Sequence, residues 1–325
     1  MPVKYWSFAG LLLTYWCNAR CASCYVCSAP SEGGDMTVEA GLRLWAGLQA
    51  ASPHGCRIHI GGGEPFGRWE ALIGLARQAQ AAGLGPLEAV ETNAYWATDE
   101  GLVRDRLGAL DAAGLGRLTI SADPYHQQFV PIERVRLAER VGREILGPER
   151  VRVRWRDWAA GAVDIAAMAS SERRAVFAAW ARRGHDRLTG RAAAEIAAHL
   201  PLKPTAAFAD NPCGQRLLRS RHVHVDGDGI VCPGTCAGIV LGRADSPESV
   251  GAIWRALQRD HARMDVIGPL ARAGPVALLA EAEGCGYRPR EGYASKCHLC
   301  YDVRRHLFGL GRFGDRLGPG VVYRP

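Results

Sequence analysis

Cys17-Asn-Ala-Arg-Cys21-Ala-Ser-Cys24 sets three thiols along one short stretch of chain. Thiolates at this spacing can each take one corner of a cubane [4Fe-4S] cluster and leave one iron open for chemistry. A structural zinc site is the alternative, and it needs a fourth ligand that Cys27 could supply. Gly61-Gly-Gly-Glu-Pro65 is the second stretch that could do chemistry. Its glycines let backbone approach a ligand closely, and Glu64 offers an acceptor for an ammonium group, although a plain strand-to-helix turn has the same composition. The last third of the chain holds Cys213, Cys232, Cys236, Cys285, Cys297 and Cys300, the last two as a Cys-x-x-Cys pair. A cysteine on a hairpin plus a distant Cys-x-x-Cys pair can clip two segments around one metal centre, with zinc or an iron-sulfur cluster equally served by the ligand type.

Polar groups that could read a substrate follow the predicted strands. Asn93 and Ser121 stand at strand ends, Asp123-Pro-Tyr-His126 forms a dense polar loop, and Arg152, Arg154 and Arg156 alternate along a fifth strand. Each has a bland reading: caps for Asn93, Ser121 and Asp123, and a solvated stripe for the arginines. Cys56 leads into an apolar run and reads as packing.

The elements that must position these groups are legible as alternating apolar runs and helical patterns. Strands are expected at Phe8 to Tyr15, Arg57 to Ile60, Leu87 to Thr92, Arg117 to Ser121 and Val151 to Trp155. Helices are expected at Thr37 to Ala51, Trp69 to Ala82, Asp99 to Ala113 and Ile132 to Ile145. Repeated strand-helix units imply a parallel sheet, closed or partly closed as a barrel, with functional groups at the C-terminal strand ends. The chain then turns Ala- and Arg-rich to about residue 199, and His222 to Cys232 reads as a β-hairpin. The Gly-rich C-terminus has no reading of its own.

Composition narrows the function. A 325-residue chain with 48% hydrophobic residues can bury a large core, and eleven cysteines point to clustered metal ligation in a reducing, cytoplasmic setting. The apolar stretch Tyr5 to Trp16 lacks a signal-peptide cleavage site and reads as a strand, and the bulky Tyr15-Trp16 argues against a lipid anchor at Cys17. No run is long enough to span a bilayer. Net charge is +7, almost all from scattered Arg, so neither nucleic acid nor a membrane is an expected partner.

Cys-x-x-x-Cys-x-x-Cys at 17 to 24 together with Gly-Gly-Glu-Pro at 62 to 65 resembles the radical S-adenosylmethionine (radical SAM) superfamily over roughly residues 8 to 160. The resemblance implies that Cys17, Cys21 and Cys24 hold a [4Fe-4S] cluster whose fourth iron is chelated by SAM. It implies that Tyr25 lies near the adenine, that Gly62, Gly63 and Glu64 receive the methionine amino group, and that Asn93 and Ser121 contact ribose or methionine. The C-terminal cysteines resemble the auxiliary-cluster domains called twitch and SPASM, the twitch pattern fitting better with Cys213, Cys232, Cys297 and Cys300 as ligands. Cys236 and Cys285 are left over, as a replacement ligand, a second centre or a hydrogen donor. The expected architecture is α/β, a partial (β/α)6 TIM-like barrel over residues 1–204 followed by a small cysteine-rich α+β auxiliary-cluster domain over 205–325. The expected activity is oxidation of a small polyol, aminocyclitol or sugar-type intermediate of the kind found in antibiotic biosynthesis. Asp123, His126 and Arg154 are its candidate catalytic residues, and a flavodoxin or ferredoxin would donate electrons. Radical modification of a ribosomally made peptide is the alternative. The 16 residues ahead of Cys17 leave little room for a peptide-recognition domain.

Overall fold

The structure, a computed structural model, describes residues 2–161 and 163–325. The expected alternation is present. Strand β1 (Phe8–Thr14) leads to helix α1 (Val38–Ala50), β2 (Arg57–Gly62) to α2 (Trp69–Ala81), and β3 (Leu87–Thr92) to α3 (Glu100–Ala112). After β4 (Leu118–Ser121) come the one-turn α4 (Pro124–Gln127) and then α5 (Ile132–Leu146), which returns the chain to β5 (Val151–Arg154). Thr37 and Asp99 cap α1 and α3 by accepting the amides of Ala40 and Leu102. Their short oxygens satisfy donors that have no partner within the helix.

The eight strands of the described residues form one sheet in the order β5-β4-β3-β2-β1-β6-β7-β8. The first six in that order are parallel, so the chain is α/β with a mostly parallel sheet. The sixth parallel strand, the next in the chain, does not sit beside β5 in the sheet. It is β6 (His222–Asp226), which pairs along the opposite edge of β1 and turns back as the antiparallel β7 (Ile230–Pro233) and β8 (Gly242–Arg243). The hairpin legible in the sequence is therefore real, and it extends the first sheet edge-on: the two stretches expected as separate domains share one sheet.

Pleating gives this sheet two different faces. Leu11, Ile58, Ile60, Val90, Leu118, Ile120, Val151, Val223 and Val225 are buried in the main apolar core. The alternate residues, among them His59, Glu91, Ser121, Arg152, Arg154, His222 and His224, line a cavity on the other side. A second apolar cluster caps that side, where Ala19 and Ala22 pack with Tyr125, Phe177, Trp180 and Ile196. Among the described residues, no helix is long and apolar enough to cross a membrane.

The Gly-rich C-terminus is tied into the fold. Tyr323 is buried, donates to the Gly238 carbonyl at 2.5 Å and accepts from Arg304 at 2.6 Å, while Tyr301 donates to the Val322 carbonyl at 2.8 Å.

Candidate functional site

The loop that follows β1 carries Cys17, Cys21 and Cys24, all free thiols that face the cavity, whose volume is about 470 Å³. Backbone bonds zip this loop to the glycine-rich turn after β2: the Gly63 amide donates to Thr14 O at 2.7 Å and the Glu64 amide to Trp16 O at 2.9 Å. A Cβ on Gly63 would stand 1.9 Å from Trp16 O, and Gly62 adopts φ +116° with Thr14 O 2.5 Å from where its Cβ would be. The close approach that demands glycine here is therefore to the cysteine loop itself. Glu64 is fully buried and turned toward β3. Its carboxylate accepts from Thr92 Oγ1 at 2.8 Å and from the amides of Asn93 and Phe66 at 2.7 and 3.2 Å. Burial outweighs these bonds and pushes the Glu64 carboxyl up to about 7.

A buried arginine absent from the sequence reading holds the cysteine loop. Arg191, 1% exposed, donates to the carbonyls of Cys21 at 2.9 Å and of Cys27 and Ser28 at 3.0 Å, while its own amide donates to Cys24 O at 3.0 Å. The preceding Gly190 has φ +60° and lies so close to the loop that a Cβ would meet Tyr25 O at 2.5 Å. Among the described residues no carboxylate pairs with Arg191. A buried cation of this kind is costly unless compensated. The nearby thiols supply the compensation once ionised, and Arg191 favours their ionisation. Without a metal they stay protonated: burial, then Glu64, pushes Cys17 up to about 12, and burial carries Cys21 well above the usual thiol range. Three free thiols on one cavity wall beside an uncompensated cation fit a resident anionic metal-thiolate group.

The cavity also gathers Tyr25, Gly62, Gly63, Asn93, Ser121, Asp123, His126 and Arg154. Asn93 donates through Nδ2 to Asn18 Oδ1 at 2.9 Å and to Cys17 Sγ at 3.6 Å, which ties the end of β3 to the first cysteine. Asp123 caps α4 and holds His126 Nδ1 at 2.7 Å. Burial opposes charge on both partners, but their attraction outweighs it, so Asp123 is held below and His126 above its ordinary value. Arg152 and Arg154 line the cavity, and Arg154 pairs with Glu91 at 2.7 Å. Arg156 does not share their face: β5 ends at Arg154, and Arg156 opens a short helix and pairs with Glu139 at 3.1 Å.

Several lining groups escaped the sequence reading: His59, Glu91, Asp186, Arg187, His222 and His224. His222-Val-His224 did carry a signal, since alternation in a strand puts both rings on one face. Asp186 accepts from Tyr125 Oη at 3.2 Å, and burial followed by Asp123 pushes its carboxyl up to about 6.

Away from the cavity, Cys213 and Cys236 both lie near Cys300 and Cys297, and Arg304 Nε donates to Cys300 Sγ at 3.3 Å. Burial is the first cause that pushes Cys213 up to about 11 and Cys236 up to about 12. Cys232 is buried, with Asp226, Arg304 and Cys236 as its charged or ionisable neighbours. Cys285 sits at the end of helix Leu279–Gly284, where its carbonyl meets His306 Nε2 at 3.1 Å. Cys27 and Cys56 are buried, and Cys27 Sγ contacts Val322 O at 3.4 Å.

No family model matches this chain, and no curated protein does. Among solved structures, the chain is similar to the crystal structure of BtrN in complex with AdoMet and 2-DOIA, at 14% identity, 82% of this chain, 93% of that chain and a TM-score of 0.47. It is also similar to native anSMEcpe with bound AdoMet and Cp18Cys peptide, at 12% identity, 94% and 98% coverage and a TM-score of 0.42. A histidine-tagged anSMEcpe with bound AdoMet follows at 11% identity, 93% coverage of both chains and a TM-score of 0.45. At this level of likeness the chemistry of the site rests on its own residues.

Two outcomes follow. Arg191→Met should cost on the order of 3 kcal/mol in urea unfolding and lower the iron retained after anaerobic reconstitution, because buried carbonyls lose a charged donor. Arg191→Lys should recover little, since an ammonium cannot reproduce the fork; a cost below about 1 kcal/mol for Arg191→Met would contradict the clamp. For Glu64, the carboxyl titrates near 7 folded and near 4.5 unfolded. Between these values the folded state binds more protons, so its contribution is full below about 4.5 and is lost as pH rises through about 7. The stability of wild type relative to Glu64→Gln should therefore fall across that window, by at most about 3 kcal/mol. A flat difference would contradict the burial.

Proposed function

We propose that this protein is a radical SAM oxidoreductase that oxidises a small polar substrate. The observation that carries the reading is the convergence of Cys17, Cys21 and Cys24 with Gly62, Gly63 and Asn93 on one cavity, at the C-terminal ends of parallel strands. Such an end is where α/β sheets place ligands. Cys17, Cys21 and Cys24 would hold a [4Fe-4S] cluster which, with SAM bound and an electron from a flavodoxin or ferredoxin, would supply methionine and a 5′-deoxyadenosyl radical able to remove hydrogen from an unactivated carbon.

The chain's own residues would do the rest. Gly62 and Gly63 form the wall that receives the methionine amino group, while Glu64, tied to Thr92 and Asn93, fixes the turn. Tyr25, with Arg187 lying 5.4 Å from its ring centroid, offers a flat apolar surface to adenine, and Asn93 and Ser121 offer polar contacts beside it. Arg152, Arg154, Glu91 and the Asp123–His126 pair give the remaining wall a density of charge that suits a polyhydroxylated or amino-bearing molecule such as an aminocyclitol or sugar. Oxidation of a secondary alcohol removes one hydrogen atom, one proton and one electron. Asp186, held near 6, is placed to take the proton, and His126, held charged by Asp123, to donate to the substrate oxygen. Cys213, Cys297 and Cys300, with Cys232 or Cys236 as the fourth ligand, would hold an auxiliary [4Fe-4S] cluster of twitch type, a group suited to accepting the electron.

Anaerobic reconstituted protein, reduced with dithionite and given SAM, should release 5′-deoxyadenosine. Changing Cys17, Cys21 and Cys24 together to Ala should abolish release yet leave about four irons per chain on the C-terminal cysteines. Release that survives the triple change, or no release under any reductant, would overturn the proposal; loss of all iron would remove the auxiliary cluster from it.

A further inference from the structure

Three histidines meet in the middle of the sheet, on the face that lines the cavity. The register sets Gly10 of β1 opposite both His59 of β2 and His224 of β6, and His222 lies two residues earlier on the same face. One ring nitrogen from each falls within 4.8 Å of the other two, and His59 Nε2 and His222 Nε2 stand 3.0 Å apart. Among the described residues this is the one set of three His, Cys, Asp or Glu ligand atoms so gathered.

The strand between them is shaped to permit it. A Cβ at Gly10 would lie 2.5 Å from both His59 Nε2 and His224 Cδ2, so any other residue there would drive the rings apart. Phe8 forms the floor on the other side, its ring centroid 4.8 Å from that of His59 and 4.7 Å from that of His222. The gap left by a missing side chain is filled by imidazoles from both neighbouring strands.

We infer that His59, His222 and His224 form a three-histidine site for a divalent transition metal, zinc being the ion best suited, with its open position facing the cavity. Three neutral imidazoles are the donor set that zinc takes in sites that keep a fourth position for water or substrate. Burial is the first cause that lowers all three rings below the ordinary histidine value, His222 to about 3, and so favours the neutral form a metal takes. His59 is buried and its Nδ1 has no hydrogen-bond partner, while Glu91 Oε1 faces it at 3.9 Å. A carboxylate behind a metal-bound imidazole orients the ring and raises its basicity. The same Glu91 pairs with Arg154, so the site is joined to the charged wall of the cavity.

Metal binding here does not depend on radical chemistry; the role of the ion toward a substrate rests on the function proposed above. The ion would take an oxygen or nitrogen donor of the substrate at its open position, and so orient in the cavity the molecule whose carbon is attacked. No electron transfer is required of it.

The test uses tag-free, full-length protein whose cysteines have first been loaded with iron and sulfide, so that they do not compete. After incubation with zinc and removal of excess, metal analysis should find about one zinc per chain, and zinc-edge X-ray absorption should show nitrogen and oxygen neighbours at about 2.0–2.1 Å. His59→Ala and His224→Ala should lose that zinc while keeping their iron. Gly10→Ala should lose it with all three histidines still present. Glu91→Gln should weaken binding by about 10- to 100-fold. Zinc should raise the melting temperature of wild type and leave that of the histidine variants unchanged. Should the variants fail to fold, the absorption spectrum of wild type decides alone. Sulfur neighbours at about 2.3 Å, or zinc content equal to that of the histidine variants, would reduce the cluster to three imidazoles sharing protons and overturn the site.

Discussion

The guanidinium of Arg191, buried without a carboxylate partner and bonded to the carbonyls of Cys21, Cys27 and Ser28, is the interaction on which the site depends. A loop with three thiols has no helix or sheet to satisfy its backbone, and irregular buried backbone is expensive. Arg191 satisfies it with a rigid, five-donor fork. The same charge would be a liability in a core of neutral thiols, so the residue makes physical sense only if the loop carries negative charge when functional. Structure of the loop and occupancy of the thiols are in this way coupled.

The sheet supplies the second constraint. One face is a dense apolar layer, whereas the other presents His59, Glu91, Arg152, Arg154, His222 and His224 to the cavity. A polar face is normally solvated. Here it is covered by the Ala- and Arg-rich segment, whose Phe177, Trp180 and Ile196 pack against the cysteine loop. The result is a half-open cavity with thiols on one wall and charged groups on another. Glycine at positions 10, 62, 63 and 190 lets backbone and rings approach where any Cβ would collide.

How much of this the sequence revealed follows from how local each signal is. Four strand-helix units and the fifth strand were readable from apolar runs and from caps such as Thr37 and Asp99, because those signals act within a few residues. The cysteine spacing and the Arg152/Arg154 stripe were readable for the same reason. The landing of β6 beside β1 was not, since the pairing joins residues more than 200 apart. That one pairing also creates the meeting of His59 with His222 and His224, which no linear spacing announces. Arg191 was hidden among many exposed arginines of the same stretch, because burial is not written in residue type. The C-terminal Tyr323 was masked by the glycines around it.

The most direct measurement is the EPR spectrum of the reduced, reconstituted protein recorded with and without SAM. An iron left open by Cys17, Cys21 and Cys24 should accept the amino and carboxylate groups of SAM, so the account predicts a changed spectrum that reverts when SAM is removed. A cluster signal that is indifferent to SAM would mean that no iron is open, and the three-cysteine loop would then be a closed structural site.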